Sequence, residues 1–178
     1  MRLHRGAAAL DRLAALELAV CRRIQALSTA PARRFFAAVS RLGDGWLWGA
    51  LALLLPAIAG EAGVAAALEM ALAGLVALPT YKLLKRSTAR ARPCAASRDL
   101  APILAPLDTY SFPSGHTLHA VAFTTVAGGH FPELLWLLVP FTLLVALSRL
   151  VLSLHYPTDV AAGACLGAFI AWLVPRTL

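Results

Sequence analysis

Five strongly apolar segments occupy most of this 178-residue chain after its first 42 residues. They cover residues 46–60, 63–84, 114–128, 133–152 and 158–174. Hydrophobic residues make up 60% of the chain and charged residues 14%, against about 45–50% and about 25% in an ordinary soluble domain. Because one soluble core of this length cannot bury so much apolar surface, we predict an all-α, polytopic transmembrane helix bundle of five to six helices. The same composition excludes a disordered chain, a collagen-like fibre and a disulfide scaffold.

Residues 1–42 differ from the rest because charged residues interrupt their helical pattern of apolar residues. This arginine- and alanine-rich segment is predicted to be an amphipathic helix lying in the membrane interface. After a break at residues 28–31, a short second helix is expected to have Pro31 in its first turn. The alternative is a partly ordered tail. The chain is thus predicted to be one domain overall, with an amphipathic segment at 1–42 and a membrane-embedded part at 43–178.

Three polar clusters flank the apolar segments. They are Lys85 followed after six residues by Arg92-Pro93, then Pro113-Ser114-Gly115-His116, and finally Ser148-Arg149 followed by His155 and Asp159. If all five segments cross the membrane, the end of the second, the start of the third, the end of the fourth and the start of the fifth share one face. Connectivity alone therefore predicts that the three clusters meet there.

Each cluster also has a structural interpretation. Lys85 and Arg92 could simply extend from a helix end to the membrane surface. Ser114 could be only an N-cap, and Arg149 and Asp159 could only interact with helix termini. A single histidine at an interface is more often structural than catalytic.

Taken together, the basic residues suit a phosphate-binding site. The guanidinium groups of Arg92 and Arg149 match the oxygens of a phosphoryl group, and Lys85 adds a point charge. The backbone N–H groups from Ser114 and Gly115 onward open a helix, and a helix N-terminus binds anions. Since these groups supply charge stabilisation, no metal and no other cofactor is expected.

The remaining groups suit acid–base and nucleophilic chemistry. His155 can attack phosphorus while Asp159 holds the other ring nitrogen protonated and correctly turned. His116 can then donate its proton to the departing oxygen.

The clusters resemble the three-part signature of the type-2 phosphatidic acid phosphatase family, KxxxxxxRP, PSGH and SRxxxxxHxxxD. This chain reads KRSTARARP, PSGH and SRLVLSLHYPTD, with every defining position matched in order, and the resemblance extends from Gly45 to Val174. It implies a nucleophile at His155, a general acid at His116 and an orienting carboxylate at Asp159. The phosphate-binding residues that it implies are Lys85, Arg92, Ser114, Gly115 and Arg149. The implied reaction is metal-independent and passes through a phosphohistidine. Membrane members of the family usually have six spanning helices, whereas the charged segment before Leu42 leaves five convincing crossings here.

The predicted function is that of an integral membrane lipid phosphatase. Its substrate would be phosphatidylglycerophosphate, phosphatidate or a polyprenyl (di)phosphate, presented among membrane lipids. One alternative is a vanadate-dependent haloperoxidase, against which the short membrane-embedded chain argues. Another is a non-catalytic membrane protein with an anion pocket, against which the complete set of acid–base groups argues. The sequence leaves open which lipid is the substrate, whether it carries a monophosphate or a diphosphate, and which oligomeric state the protein adopts.

The charge distribution bears on localisation. The net charge of +7 would favour nucleic acid in a soluble protein, but in a chain built for a bilayer it favours anionic lipid and phosphate, and no nucleic-acid partner is expected. Every Lys and Arg except Arg176 lies before Gly43 or between Lys82 and Arg149. With five crossings, positive-inside reasoning places the polar face in the cytoplasm. The protein is expected in a bacterial inner membrane, where the resemblance favours a site on the periplasmic face. The charge distribution favours the cytoplasmic face, which we prefer slightly.

Several other residues receive weaker predictions. The three cysteines are far apart and are expected to be packing residues rather than a metal site or a disulfide. Glu69 should make a structural hydrogen bond inside the bundle. His119 should have a packing role, with tuning of His116 as the alternative, and His130 should be a surface or loop residue. The four tryptophans are expected to anchor the membrane interface: Trp46, Trp48, Trp136 and Trp172.

Overall fold

The computed structural model describes residues 2–100, 102–106 and 108–174, with side chains from residue 12 onward. In these ranges all regular elements are helical, as the apolar segments predict. The α-helices are α1 (Arg2–Leu27), α2 (Ala30–Arg41), α3 (Leu47–Thr88), α4 (Pro93–Ala96), α5 (Gly115–His130), α6 (Leu135–Val151) and α7 (Pro157–Leu173). A wide π-type turn, Leu42–Trp46, precedes α3, and a 3₁₀ turn, Pro132–Leu134, precedes α6. Arg176 lies outside the described residues.

The first two helices are separated at the predicted break. Thr29 caps α2, because its hydroxyl accepts the backbone N–H of Ala32 at 3.4 Å, and Pro31 lies in the first turn. Val39 of α2 belongs to the main hydrophobic core, and α2 packs against α6. The N-terminal segment is therefore docked on the bundle. Its place in the membrane interface and the division at residue 42 stay predictions.

α3 consists of two helical arms joined by a sharp reversal at Gly60. This residue has φ 56° and ψ −132°, a backbone conformation that residues with a Cβ avoid. The arms pack so closely that a Cβ on Gly63 would lie 1.9 Å from the carbonyl oxygen of Leu55. The predicted segments 46–60 and 63–84 are thus the two arms of one helical hairpin, and the second arm continues to Thr88.

α5 is the central helix and packs against α3, α6 and α7. Its contact with α7 depends on two glycines. A Cβ on Gly163 would lie 2.5 Å from the carbonyl oxygen of Ser114, and one on Gly167 would lie 2.3 Å from that of Leu118. Small residues of this kind let helix backbones approach closely in membrane bundles.

Large apolar side chains cover much of the outer surface, as in a protein surrounded by lipid. Trp136 is 90% exposed, and Leu53 and Ile58 are similarly uncovered. Among the described residues, Ala30–Ala96 and Pro132–Val151 are long and apolar enough to cross a membrane, and Pro157–Leu173 is a shorter apolar helix. The first of these stretches contains the Gly60 reversal. The chain is therefore an integral membrane protein, and its number of crossings stays a prediction.

One tryptophan departs from the predicted interfacial belt. Trp48 is only 3% exposed and packs against Phe123 and Phe141, with ring centroids 5.6 and 5.8 Å apart. The prediction was wrong for Trp48 because this residue lies on the core side of the first α3 arm. The other three tryptophans are exposed: Trp46, Trp136 and Trp172.

The far end of α5, away from its first turn, holds a buried acid. Glu69 of α3 is 1% exposed, and its Oε2 accepts from Nε2 of His130 at 2.9 Å. This is the structural hydrogen bond predicted for Glu69. His130, which was expected to be a surface or loop residue, is instead the last residue of α5 and the partly buried partner of this acid.

Candidate active site

A cavity of about 630 Å³ lies at the end of the bundle where α3 ends and α5 begins. Six of the eight predicted site residues line it: Lys85, Arg92, Gly115, His116, Arg149 and His155. They come from the end of α3, the segment before α4, the first turn of α5, the end of α6 and the turn that follows α6. The structure thus brings members of all three sequence clusters to one cavity.

Lys85 and Arg92 meet on one carboxylate, that of Asp108. Lys85 Nζ donates to Asp108 Oδ1 at 2.7 Å, and Arg92 Nη2 donates to the same oxygen at 2.6 Å. Burial alone would raise the pKa of Asp108, but its hydrogen bonds and charge interactions with Lys85 and Arg92 outweigh this and hold the pKa below its ordinary value. Two buried cations therefore already hold an anionic group at the cavity wall.

Arg149 supplies a third buried charge and also supports His155. Its Nη1 donates to the hydroxyl of Ser40 on α2. Its backbone carbonyl accepts from the N–H groups of Leu154 at 3.1 Å and His155 at 3.2 Å. Arg149 thereby fixes residues 153–158, termed the histidine turn, at the end of α6.

The tautomer of His155 follows from its contact with Arg92. Arg92 Nη1 lies 3.2 Å from His155 Nε2, and a guanidinium group can only donate, so Nε2 accepts and the ring proton is on Nδ1. Burial and the charges of Arg149, Arg92 and Lys85 hold the pKa of His155 well below its ordinary value. The imidazole is therefore neutral at pH 7 and has a lone pair on Nε2.

Asp159 faces the other nitrogen of the His155 ring and is completely buried. Its Oδ2 lies 3.6 Å from Nδ1, which is longer than a hydrogen bond, although such contacts often tighten when substrate binds. The same oxygen accepts the backbone N–H of Tyr156 at 2.8 Å, and Oδ1 accepts from Arg90 Nη1 at 2.6 Å. Asp159 does not line the cavity and is placed to orient the ring that does.

His116 lies in the first turn of α5 and pairs with Asp44. The carboxylate of Asp44 can only accept when ionised, so Nε2 of His116 is the donor and carries a proton. Asp44 comes from the π-type turn before α3, where Gly45 has φ 129°. A histidine acts as a general acid in its imidazolium form, and the carboxylate of Asp44 is a partner that stabilises that form.

Ser114 and Gly115 are placed differently from one another. Gly115 lines the cavity, where a Cβ would meet the Tyr81 ring at 3.3 Å. Ser114 does not line it: its hydroxyl pairs with that of Thr117 at 3.0 Å, and its N–H donates to the carbonyl oxygen of Asp159 at 2.9 Å. The expected anion site at the start of α5 therefore lacks the Ser114 N–H, because that group joins α5 to α7.

His119 packs as predicted. Its Nδ1 donates to the carbonyl oxygen of Gly115 at 2.8 Å, and its ring lies against those of Tyr81 and Phe123. It lines the cavity as part of this aromatic wall.

Three charged residues that sequence reasoning did not single out contact the predicted ones: Asp44, Arg90 and Asp108. A fourth, Glu17, contacts Arg90. Arg90 lies inside the first cluster, and Asp44 stands between two glycines just before the first apolar segment. The chain has only nine acidic residues, and a carboxylate placed in apolar surroundings needs a partner. This scarcity is the signal that could have drawn attention to Asp44.

The helical bundle and its cavity therefore define an integral membrane protein with two histidines and several cations at one cavity. The family model described as the PAP2 superfamily matches residues 62–178. The chain therefore belongs to the PAP2 superfamily, and this confirms the resemblance of its three clusters to the type-2 phosphatidic acid phosphatases.

Several similar proteins are named as phosphatases. Decaprenylphosphoryl-5-phosphoribose phosphatase of Mycobacterium tuberculosis is 37% identical over 97 residues, 52% of this chain and 50% of that protein. Undecaprenyl-diphosphatase of Sulfolobus acidocaldarius is 37% identical over 73 residues, 40% and 35% of the two chains. The matches thus span about half or less of these relatives. A transmembrane PAP2-type phosphatidylglycerolphosphate phosphatase of Bacillus subtilis shares the fold, with TM-score 0.74, 24% identity and coverage of 94% of this chain and 88% of that one.

Proposed function

We propose that this protein is a lipid phosphatase that hydrolyses a phosphomonoester or diphosphate on a membrane lipid through a phosphohistidine intermediate. The observation that carries the proposal is the shared cavity. Nε2 of His155 and the protonated Nε2 of His116 belong to rings that line it together with three buried cations, Lys85, Arg92 and Arg149. A phosphoryl group in this cavity would contact a nucleophile, a proton donor and charge stabilisation at once.

The first chemical step forms a bond between His155 Nε2 and phosphorus. The bond from phosphorus to the lipid oxygen breaks, its electron pair stays on that oxygen, and the His116 imidazolium gives the oxygen a proton and becomes neutral. The Nδ1 proton of His155 stays on the ring and faces Asp159, whose negative charge stabilises the cationic phosphohistidine. Lys85, Arg92 and Arg149 stabilise the charge on the phosphoryl oxygens.

The second step returns the site to its starting state. The neutral His116 imidazole takes a proton from water, which restores the imidazolium, while the water oxygen attacks phosphorus. The bond between phosphorus and Nε2 breaks, inorganic phosphate leaves, and His155 recovers its lone pair. Because protein cations supply the charge stabilisation, we propose that the reaction requires no metal ion.

The surroundings of the cavity favour a lipid substrate. The apolar outer surface keeps the bundle in the membrane, so a leaving group can keep its tails in the bilayer while its phosphate reaches His155. The named activities of the relatives favour polyprenyl phosphates and diphosphates and phosphatidylglycerophosphate as the compounds to test. The family resemblance adds phosphatidate. We place the protein in a bacterial inner membrane, with a slight preference for a cytoplasmic site from its charge distribution.

The test is phosphate release from these lipids by purified protein in lipid nanodiscs, with His155→Ala as the blank. Removal of the nucleophile should lower turnover by about 10⁴-fold or more. EDTA should have little effect and vanadate should inhibit. Brief incubation with ³²P-labelled substrate should label wild-type protein through an acid-labile, alkali-stable bond that His155→Ala lacks.

Retention of full activity by a folded His155→Ala variant would contradict the mechanism. Wild-type protein that binds lipid phosphate without ever releasing inorganic phosphate would contradict the enzymatic function itself, and would instead support a non-catalytic anion-binding protein.

A further inference from the structure

One face of α1 lies against the histidine turn. Cys21 Sγ contacts the carbonyl oxygen of His155 at 3.8 Å, and Gln25 Nε2 donates to the hydroxyl of Ser153 at 3.1 Å. One turn before Cys21, Glu17 accepts from the backbone N–H of Thr158 at 2.9 Å and from its hydroxyl at 2.6 Å. Residues spaced four apart share a helix face, so α1 presents a continuous surface to the turn that carries the nucleophile.

Glu17 uses both of its carboxylate oxygens in this contact. While Oε1 binds Thr158, Oε2 accepts from Arg90 Nη2 at 2.5 Å. The residue is only 5% exposed, so its charge is removed from water and depends on these partners. Glu17 precedes residues 62–178, the part of the chain that matches the family model.

Arg90 is held between two carboxylates. Its Nη2 donates to Glu17, and its Nη1 donates to Asp159 Oδ1 at 2.6 Å and to the Thr158 hydroxyl at 2.8 Å. Its guanidinium carbon lies 4.1 Å from the centroid of the Tyr156 ring. One terminal nitrogen of the guanidinium group thus binds α1, and the other binds the carboxylate that faces His155.

We propose that Glu17 is a positioning residue for the reaction: it anchors Arg90, and Arg90 holds Asp159 against Nδ1 of His155. The inference rests on the proposed function and deepens it. Two effects follow from the geometry. Glu17 fixes the guanidinium in place, and it also shares the positive charge of Arg90, so that Asp159 keeps negative charge available to the imidazolium formed in the reaction.

This role is separable from substrate binding. Among the described residues, Glu17 and Arg90 do not line the cavity, and their side-chain hydrogen bonds go to groups other than the phosphate-binding side chains Lys85, Arg92 and Arg149. Loss of Glu17 should therefore impair the chemical step and leave the binding of a phosphate-like anion unchanged.

The experiment compares Glu17→Gln with wild type in nanodiscs, at a temperature well below every unfolding midpoint. We expect kcat to fall by about 10- to 100-fold, as when an outer partner of a reactive histidine is lost, while KM and the inhibition constant of vanadate change less than twofold. Arg90→Gln should lower kcat similarly. The double variant should be no worse than the poorer single variant, because the two residues act as one unit.

The matched control is Glu69→Gln, which removes the charge of another buried carboxylate at the far end of α5. It should lower the unfolding midpoint and retain wild-type kcat. A wild-type kcat in Glu17→Gln, a loss that appears in KM instead, or additive effects of the two single variants would overturn the positioning role while leaving the phosphatase proposal intact. If wild-type protein releases no phosphate from any lipid tested, it is the proposed function that fails.

Discussion

Among the described residues, two pairs of a histidine with a carboxylate have a deeply buried acid, one near each end of α5. Near its first turn, His155 faces Asp159 at 3.6 Å, and at its last residue His130 pairs with Glu69 at 2.9 Å. Both carboxylates are almost completely buried. By residue type and distance alone, the second pair is the better-formed hydrogen bond.

The surroundings distinguish the two pairs. His155 lies beside Arg92 and Arg149 and lines the cavity. Neither His130 nor Glu69 lines that cavity, and their contact joins the end of α5 to α3. A histidine–carboxylate pair by itself therefore only joins two helices. The neighbouring cations and the cavity are what distinguish the pair at the candidate site.

The largest expected effect is that of Asp159→Asn. We expect kcat to fall by about 10²- to 10⁴-fold, because a neutral amide neither stabilises the cationic imidazole nor fixes its tautomer. Phosphate release and ³²P labelling of the protein would measure the loss. A decrease of less than threefold would show that Asp159 serves only as the first-turn cap of α7.

The reciprocal change at the other end is Glu69→Gln. We expect the free energy of unfolding to decrease by about 1–3 kcal/mol, because a charge-assisted buried hydrogen bond is lost. Thermal or denaturant unfolding in detergent would measure it, alongside phosphate release. An activity loss comparable to that of Asp159→Asn would remove the distinction between the two ends.

The smallest expected effect is that of Asp108→Asn. Its carboxylate occupies Lys85 and Arg92, so removing its charge should lower KM for a lipid phosphate and the inhibition constant of vanadate, roughly 2- to 5-fold. Because the pKa of Asp108 is held below its ordinary value, the carboxylate stays ionised from pH 5 to pH 8 and the effect should persist across that range.

The control for Asp108→Asn is Asp99→Asn. Asp99 is a largely exposed carboxylate that pairs with Arg22 at 3.5 Å and does not line the cavity, so its substitution should leave both constants unchanged. Weaker vanadate binding by Asp108→Asn would show that the carboxylate organises the two cations rather than competing with substrate.

Much of the site was predictable because its residues lie at fixed spacings beside apolar segments. The segment boundaries agree with the helices within a few residues, and connectivity alone placed Lys85, His116 and Arg149 at one end of the bundle. Pro31 likewise marked the start of α2, since its fixed φ suits a first turn.

The remaining features depend on distant contacts that no local pattern encodes. Trp48 lies on the inner side of its helix only because Phe123 and Phe141 pack there. Glu17 reaches Arg90 across 73 positions of the chain, and Asp44 reaches His116 across 72. The backbone N–H of Ser114 was expected to face an anion and is instead occupied by the carbonyl of Asp159 from α7.

The glycines of α7 have a consequence for the choice of substrate. With Gly163 and Gly167 set directly on carbonyl oxygens of α5, these two helices have no spare volume between them and cannot slide or part to accommodate a different headgroup. Adaptation to larger or smaller lipids must come from the opposite wall, around Tyr81 and Lys82 of the longer α3 arm. Relatives that act on dissimilar lipids should therefore differ in sequence along that wall and keep small residues where α7 contacts α5.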